Sequence, residues 1–110
     1  MEGSNRSGVR PIVVGANHRS SALAVRDRLF VEDPELPVFL TQLRAMDIGD
    51  AILISTCDRV EVHALHADSN AADLAIRTCF KNRIDSPEVK LDSQLYTYID
   101  DRAVEQIFAV

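Results

Sequence analysis

The sequence is poor in cysteine, in basic charge and in long apolar runs. Its two cysteines, Cys57 and Cys79, are too few for a disulfide framework in a chain of 110 residues, so we expect reduced thiols in the cytoplasm. No apolar run approaches the roughly 20 residues that span a bilayer. The formal net charge of −5 argues against general attraction to nucleic acid or anionic membranes, because both need a basic face. One small globular domain without membrane association is therefore expected.

The two ends of the chain differ in character from its centre. Residues 1–10 are polar and lack the apolar stretch of a secretory signal, so we expect a disordered tail there. Residues 11–100 are expected to form the catalytic and substrate-recognition domain, and 101–110 to begin a helix. That helix has no glycine or basic turn to end it. We therefore expect the natural polypeptide to continue beyond Val110.

Segments of strand and helix character alternate along the chain. Four short β-branched or alternating runs predict strands at Pro11 to Asn17, Ala51 to Ile54, Val60 to Leu65 and Leu95 to Ile99. Helical spacing and start signals predict helices from Ser20 or Ser21 to Phe30, after Asp33-Pro34-Glu35, from Asn70 to Phe80, and from Asp100 or Asp101 onward. This order predicts an α+β fold, a ferredoxin-like split βαββαβ sandwich with an extra short helix after strand 1 and a truncated final helix.

Local signals refine these expectations. Asn70 and Asp73 stand at capping-box spacing and predict the start of the third helix. Cys79 lies on the apolar stripe of that helix, so it is interpreted as a packing residue. Gly49 is expected to end the preceding helix. The apolar run Ala51 to Ile54 is typical of a buried strand.

The segment from Ser55 to Glu61 carries the strongest chemical signal. An apolar run ends at Ser55 and Thr56, and Cys57 follows, with Arg59 two positions later. The thiolate is the reactive form of cysteine and a nearby guanidinium favours it, so Cys57 is a candidate nucleophile. An isolated cysteine is more often a small buried hydrophobic residue, and on this segment alone both interpretations stay open.

The remaining polar residues predict no further site. His63 and His66 are three positions apart, without the cysteine or carboxylate arrangement of a zinc site, so we expect surface residues and no metal. Arg26 and Arg28 are expected to be solvated or salt-bridged helix residues. No glycine-rich phosphate loop is present, so this segment is not expected to hold a dinucleotide by itself.

Three blocks of the sequence together resemble the glutamyl-tRNA reductase family. Gly15 to Ser21 (GANHRSS) and Val25 to Leu29 (VRDRL) are similar to the family's opening motif. Ser55 to Glu61 (STCDRVE) is similar to its S-T-C-N-R-x-E active-site block. Ala103 to Val110 (AVEQIFAV) is similar to its A-V-x-H-L-F-x-V segment. The blocks follow the family's order and spacing, so the resemblance covers essentially residues 11–110.

The resemblance implies an NADPH-dependent enzyme that converts glutamyl-tRNA to glutamate-1-semialdehyde in tetrapyrrole synthesis. Cys57 would take the glutamyl group as a thioester, Arg59 would bind the glutamate side-chain carboxylate, and Thr56 would help to orient the substrate. NADPH would be bound by a domain absent from this chain. The resemblance also implies a homodimer, with glutamate-1-semialdehyde aminomutase as a downstream partner.

Two residues depart from the family pattern. Asp58 replaces an asparagine, and a carboxylate beside a thiol opposes thiolate formation. Gln106 stands where the family has an active-site histidine, and an amide cannot transfer protons near neutral pH. Both residues are nevertheless expected to line the site, as are Asn17 and His18 of the first block. For His18 the sequence slightly favours a hydrogen-bonded structural role at a strand end over a place in the site.

Two other functions stay open. Asp58 and Gln106 are compatible with a degenerate homologue that acts as a binding or regulatory module. A ferredoxin-like RNA-binding domain would need aromatic residues on its central strands and basic flanks. Tyr96 and Tyr98 alternate on the last predicted strand, but the acidic charge balance and the missing RNP pattern count against this alternative.

Overall fold

The computed structural model describes residues 8–84 and 90–108, so most of the expected tail lies outside the described residues. The strands are β1 (Arg10–Asn17), β2 (Asp50–Ser55), β3 (Arg59–His66) and β4 (Tyr96–Ile99). The α-helices are α1 (Leu23–Leu29), α2 (Leu36–Ala45), α3 (Ser69–Lys81) and α4 (Asp101–Phe108). Short 3-10 turns at Asp33–Glu35 and Leu91–Gln94 precede α2 and β4.

The four strands form one antiparallel sheet in the order β2-β3-β1-β4. The central strand β1 pairs with β3 from Arg10 opposite His66 to Asn17 opposite Arg59. Its other edge pairs with β4, which places Gly15 opposite Tyr96. This strand order is that of the split βαββαβ arrangement, and α1 is the extra short helix after strand 1. The predicted fold class is confirmed.

One face of the sheet packs against α2 and α3 and forms the apolar core. Successive strand residues point to opposite faces, so every second residue of β1 and β3 enters this core. Its central members are Ile12, Val14, Ala16, Val60, Val62 and Ala64 of the sheet, with Phe39, Leu43, Ile76 and Phe80 of the helices. Cys79 is fully buried in the same core, as the apolar stripe of α3 predicted.

The opposite face of the sheet is part polar and is covered in part by α4. Glu61 and His63 of β3 are buried on this face, where Gln106 of α4 contacts Glu61. Ala103 of α4 is fully buried. Large apolar side chains nevertheless remain exposed on β2, β3 and α4, namely Ile52, Leu65, Val104, Ile107 and Phe108.

Two predicted helix starts are wrong. The N-cap of α1 is Ala22, without a side-chain hydrogen bond. The hydroxyls of Ser20 and Ser21 instead donate to the backbone oxygen of Asn17. They are part of the turn after β1 and are therefore not free to cap the helix. In α3 the cap is Asp68, whose carboxylate accepts from the backbone N–H of Ala71 at 3.1 Å. The capping box predicted two residues later does not form.

Two other local expectations also fail. The strand β2 lies at the edge of the sheet, because it pairs with β3 alone in the described part of the chain, and Ile52 is 61% exposed. It is therefore not a buried strand. Gly49 does not end α2, which stops at Ala45. The chain turns at Asp47, whose φ of 69° is in the left-handed region that aspartate tolerates better than most residues.

Gly15 provides the space in which the side chain of Glu61 lies. A Cβ atom at Gly15 would lie 2.3 Å from the backbone oxygen of Val60 and 2.7 Å from Cγ of Glu61. Both distances are far shorter than van der Waals contact. Glycine at position 15 therefore lets the Glu61 side chain cross β1 and reach Tyr96 on β4.

We predict that Gly15→Ala destabilises the domain. Overpacking of this kind costs about 2 to 3 kcal/mol of the free energy of unfolding. Gly49→Ala is the matched control, because no atom lies within 4 Å of a Cβ at that position. Urea denaturation should show a loss for Gly15→Ala and a change below about 1 kcal/mol for Gly49→Ala. Equal effects of the two substitutions would contradict the packing argument.

Candidate active site

Cys57 lies at the tip of the hairpin that joins β2 to β3. The backbones of Thr56 and Arg59 exchange two hydrogen bonds, with N···O distances of 2.7 and 3.3 Å. Cys57 and Asp58 therefore form a two-residue loop between the strands. Both are exposed. Cys57 is thus accessible from outside the domain.

The buried guanidinium of Arg26, on α1, supports the tip of this hairpin through hydrogen bonds. Its Nε donates to the backbone oxygen of Cys57 at 3.2 Å. One terminal nitrogen donates to the backbone oxygens of Asn17 at 3.2 Å and Ser21 at 2.6 Å. Arg26 thus joins the hairpin tip to the turn after β1. The expectation of a solvated or salt-bridged Arg26 is wrong, because the residue is buried and its hydrogen bonds in the described part of the chain go to backbone oxygens and to the Ser21 hydroxyl, not to a carboxylate.

The first block of the resemblance forms the turn beside the hairpin. Asn17 pairs with Arg59 at the end of the β1–β3 ladder, so the two segments are neighbours. The Asn17 side-chain oxygen accepts from the backbone N–H groups of Arg19 and Ser20 at 2.9 and 3.0 Å. This is the hydrogen bonding of an Asx turn, so the Asn17 amide shapes the backbone. His18 is exposed on the same turn.

Thr56 and Arg59 extend in different directions from the hairpin. The Thr56 hydroxyl remains within the loop, where it lies 3.1 Å from the backbone nitrogen and 3.2 Å from the backbone oxygen of Arg59. The Arg59 side chain, only 18% exposed, lies against the polar face of the sheet. Its Nε is 3.5 Å from a carboxylate oxygen of Glu61. Arg59 is therefore positioned by a buried anion.

Glu61 is the centre of a buried polar cluster. Its Oε1 contacts Nε2 of His63 at 2.8 Å, in addition to Arg59. Its Oε2 accepts from the Tyr96 hydroxyl and from the side-chain amide of Gln106. Burial by itself raises the pKa of the Glu61 carboxyl, but these hydrogen bonds and the Arg59 charge outweigh burial and hold the pKa below its usual value. Both oxygens of the ionised Glu61 carboxylate therefore have hydrogen-bond donors.

Gln106 and Tyr96 face the same carboxylate from different elements. Gln106 projects from α4, and Tyr96 from β4. Burial, together with the hydrogen bond to Glu61, raises the pKa of the Tyr96 hydroxyl, so it remains a donor. The structure therefore brings Gln106 into one cluster with Arg59, through Glu61. Asn17, His18, Cys57 and Asp58 lie at the adjoining hairpin and turn.

Sequence reasoning missed Glu61, His63 and Tyr96 as members of this cluster. His63 is buried, so the expectation of a surface residue is wrong; the carboxylate of Glu61 stabilises it there. His66 is partly buried as well, with Nε2 3.7 Å from Asp47. One signal was available: a glutamate and a histidine alternate with valines inside a strand, where charged residues are unusual unless they have a partner.

No described group of side chains fits a metal ion or a dinucleotide. Among residues 8–84 and 90–108, no three His, Cys, Asp or Glu side chains are placed to bind a metal together. The same residues contain neither a parallel βαβ unit nor a glycine-rich turn that could hold a pyrophosphate. The described helices are all too short or too polar to cross a membrane.

A comparison with protein families identifies the domain. The family model for the glutamyl-tRNA(Glu) reductase N-terminal domain matches residues 14–110. The chain belongs to this family. The match includes the hairpin with Cys57 and the polar cluster around Glu61, so the reductase domain extends over the entire candidate site.

Individual relatives and a solved structure agree with this assignment. A glutamyl-tRNA reductase of Rhodospirillum rubrum is 43% identical over 54% of this chain and 14% of the relative. One from Desulfatibacillum aliphaticivorans is 31% identical over 90% of this chain and 23% of the relative. The glutamyl-tRNA reductase of Methanopyrus kandleri superposes on 91% of this chain and 21% of that one, with a TM-score of 0.62 and 20% identity, which shows the same fold. The chain spans less than a quarter of each of these three reductases.

We predict that Arg26→Ala loosens the candidate site and destabilises the reductase domain. Loss of the four hydrogen bonds from this buried charged donor should lower the free energy of unfolding by about 2 to 4 kcal/mol. Amide hydrogen exchange should become faster at the hairpin tip, from Thr56 to Arg59. Arg28→Ala, an exposed change on the same helix, should stay within about 0.5 kcal/mol. Unchanged exchange in Arg26→Ala would show that the hairpin does not need this support.

Proposed function

We propose that this domain is the catalytic, glutamate-recognising part of an NADPH-dependent glutamyl-tRNA reductase. In this proposal Cys57 forms a thioester with glutamate, and the thioester is reduced to glutamate-1-semialdehyde for tetrapyrrole synthesis. The observation that supports it most directly is the exposed Cys57 thiol on a supported hairpin, two residues from a guanidinium, in a chain that belongs to this family. An exposed thiol at a hairpin tip suits a substrate as large as an aminoacylated tRNA.

The proposed first step is an acyl transfer. The Cys57 thiolate attacks the carbonyl carbon of the ester that joins glutamate to the terminal ribose of the tRNA. A carbon–sulfur bond forms, the carbon–oxygen ester bond breaks, and the ribose oxygen leaves as an alkoxide that takes up the proton released when the thiol ionised. The glutamyl group then stays on the hairpin, close to Arg59, and this proximity converts the next step into one within a single complex.

Arg59 is proposed to bind the side-chain carboxylate of glutamate. A guanidinium has five N–H donors and binds carboxylates in a bidentate manner. The Nε atom of Arg59 lies 3.5 Å from Oε1 of Glu61. The Glu61 carboxylate therefore restrains the Nε edge of the planar Arg59 guanidinium. Thr56, which orders the loop through its hydroxyl, is proposed to help orient the substrate.

The reduction depends on parts of the protein beyond these residues. A bound NADPH would supply the hydride that converts the thioester to the aldehyde, and the described residues do not fit that cofactor. We propose that another domain of the complete protein binds it. The homodimer, the aminomutase that consumes glutamate-1-semialdehyde, and the cytoplasmic location are further parts of this proposal.

We predict that the complete natural protein, incubated with radiolabelled glutamyl-tRNA without NADPH, acquires label at Cys57. Acid quenching preserves a thioester, and peptide mapping locates the label. Cys57→Ser should reduce the labelling at least about 100-fold, because a hydroxyl is a far weaker nucleophile than a thiolate near neutral pH. Label found on another residue, or none in the unaltered protein, would refute the role of Cys57.

Cys79→Ser is the matched control for this experiment. Cys79 is buried in the core, and burial raises the pKa of its thiol, so it remains protonated and inaccessible. The Cys79→Ser protein should acquire label as the unaltered protein does once its lower stability is allowed for. A parallel loss of label in both variants would point to unfolding and not to a lost nucleophile.

A degenerate homologue that acts as a binding or regulatory module is the second candidate function. The observation that favours it concerns Gln106, which replaces the histidine of the family pattern. Its amide donates to the buried Glu61 carboxylate, which is a structural hydrogen bond without proton transfer. Asp58, exposed beside Cys57, adds a negative charge next to the proposed thiolate.

Restoring the family residues distinguishes the two functions. If the protein is degenerate, the double change Asp58→Asn and Gln106→His in the complete protein should raise turnover by about 100- to 10,000-fold, the usual contribution of a general acid or base. If the unaltered protein is an active reductase, the double variant should gain little. Steady-state turnover with glutamyl-tRNA and NADPH measures the difference, and an active unaltered protein without a gain on reversion would exclude the module.

A further inference from the structure

The strand β2 presents an open edge of the sheet. In the described part of the chain it pairs with β3 alone, and from Ala51 to Ile54 its sequence has no charge and no proline. Natural proteins usually keep edge strands short, charged, interrupted by proline or covered, because an open edge pairs readily with another chain. The other edge strand, β4, is only four residues long, whereas β2 has six. Of the two edges, β2 is therefore the better template for an added strand.

The register of the β2–β3 ladder shows which backbone groups face outward. Thr56 and Arg59 exchange both of their backbone hydrogen bonds. In an antiparallel ladder such pairs alternate with pairs that exchange none, and this ladder continues in register along the whole of β2. The N–H and C=O groups of Ala51 and Leu53 therefore point away from β3, and those of Ile52 between them point toward it. The outward groups are free to pair with an added strand.

A groove lies beside this edge on the helical face of the sheet. It has a volume of about 390 Å³ and is formed by β2 and the connection from α1 to α2. Phe30, Leu36 and Leu53 are among its apolar lining residues, and the exposed Glu32 and Asp33 supply its charge. Successive side chains of a strand point to opposite faces, so every second side chain of an added strand would be directed to this groove.

A second groove lies on the opposite face of the sheet. It has a volume of about 470 Å³, and its apolar lining includes Ile52, Leu65 and Ile107, with Asp50 at its rim. The remaining side chains of an added strand would be directed to this face. An edge strand with a groove on each face suits an extended peptide, because the backbone hydrogen bonds provide affinity and the grooves select alternate side chains.

The charge of the two grooves indicates the kind of partner. Among the described residues that line them, the acidic side chains are Glu32, Asp33 and Asp50, and no lysine or arginine is present. A second copy of this chain would bring the same carboxylates, and a formal net charge of −5, against these grooves. A basic segment with an apolar centre has the complementary charge. The grooves therefore favour a basic partner over self-association.

We propose that β2 is a docking site for an extended basic segment of another protein, which adds one strand to the sheet. The backbone of the segment exchanges hydrogen bonds with Ala51 and Leu53. Apolar side chains at its centre enter the two grooves, and lysine or arginine side chains near its ends meet the carboxylates. The proposal is independent of the proposed function, because it needs neither the Cys57 thiol nor glutamyl-tRNA.

Hydrogen exchange at single amides of the complete natural protein tests the strand pairing. The probe is a synthetic peptide, K-K-V-T-V-I-V-K-K, with acetylated and amidated ends. The N–H groups of Ala51 and Leu53 should exchange rapidly without peptide and at least about tenfold more slowly at saturation, because new hydrogen bonds protect them. Those of Ile52 and Ile54 should be protected in both states. A bound peptide that leaves Ala51 and Leu53 unprotected would overturn the proposal.

The same measurement without peptide identifies other occupants of the edge. Slow exchange at Ala51 and Leu53 at every protein concentration would show that another part of the same protein covers β2. Slow exchange that develops as the protein concentration rises would show that a second copy covers it. Either result overturns the proposal. Rapid exchange at all concentrations supports an edge that is open to another protein.

Two variants test whether the peptide binds at the grooves. Ile52→Lys places a cation beside the lysines of the peptide and removes an apolar wall, so it should raise the Kd at least about tenfold. Leu74→Lys is the matched control. Leu74 is on α3, is 66% exposed against 61% for Ile52, and is not among the described residues that line either groove. Its Kd should change less than about twofold. Equal effects of the two substitutions would refute binding at this edge.

A second peptide tests the charge of the partner. In it, glutamate replaces each lysine of the probe and the apolar centre is unchanged. Its Kd should be at least about threefold higher than that of the lysine peptide at low salt, because partly exposed ion pairs contribute modestly. The difference should shrink as salt is added. Equal binding of the two peptides at low salt would contradict a basic partner.

Discussion

The buried carboxylate of Glu61 is the interaction on which the polar face of this domain depends. An ionised group with no exposure is tolerated only if donors replace the water that it loses. Here the donors come from its own strand, from β4 and from α4, so satisfying one charge draws three elements together. The Glu61 side chain reaches Tyr96 and Gln106 only because Gly15, where it crosses β1, has no side chain to block it. The glycine of the first sequence block is thus needed to accommodate the buried charge of Glu61 in the second block.

The hairpin with Cys57 is supported at both of its ends. Arg26 binds the backbone of the tip from the side of α1, while Glu61 holds Arg59 at the point where β3 begins. Neither support covers the thiol. This combination agrees with the role proposed for Cys57, because an accessible residue lies on a backbone whose position is determined by buried hydrogen bonds. The apolar core on the other face of the sheet supplies stability without contributing to this arrangement.

The sequence predicted what depends on local pattern and missed what depends on distant partners. The β-branched run of β1, the alternation along β3 and the apolar stripe of α3 predicted the element order and the fold class. The edge position of β2 was missed, because an apolar run looks the same whether one or two strands flank it. Arg26 was misjudged because its partner, the backbone oxygen of Cys57, lies 31 positions away. His63 was misjudged although its partner Glu61 is only two positions away, because the burial of that pair depends on Tyr96 and Gln106, which lie 35 and 45 positions from Glu61. The hypothesis of a reactive Cys57 close to Arg59 needed no distant partner, since the two residues are neighbours in sequence, and it stays a prediction.

The amide at position 106 completes the hydrogen bonding of the cluster without adding an ionisable group. A histidine in contact with Glu61 there would place a second imidazole on the carboxylate, in addition to His63. Gln106 instead donates to Oε2 through an amide that does not ionise. Both oxygens of the anion then have donors, His63 on Oε1 and Tyr96 with Gln106 on Oε2. On this argument Gln106 is a structural partner of Glu61, because its hydrogen bond satisfies the buried carboxylate and at the same time joins α4 to the sheet.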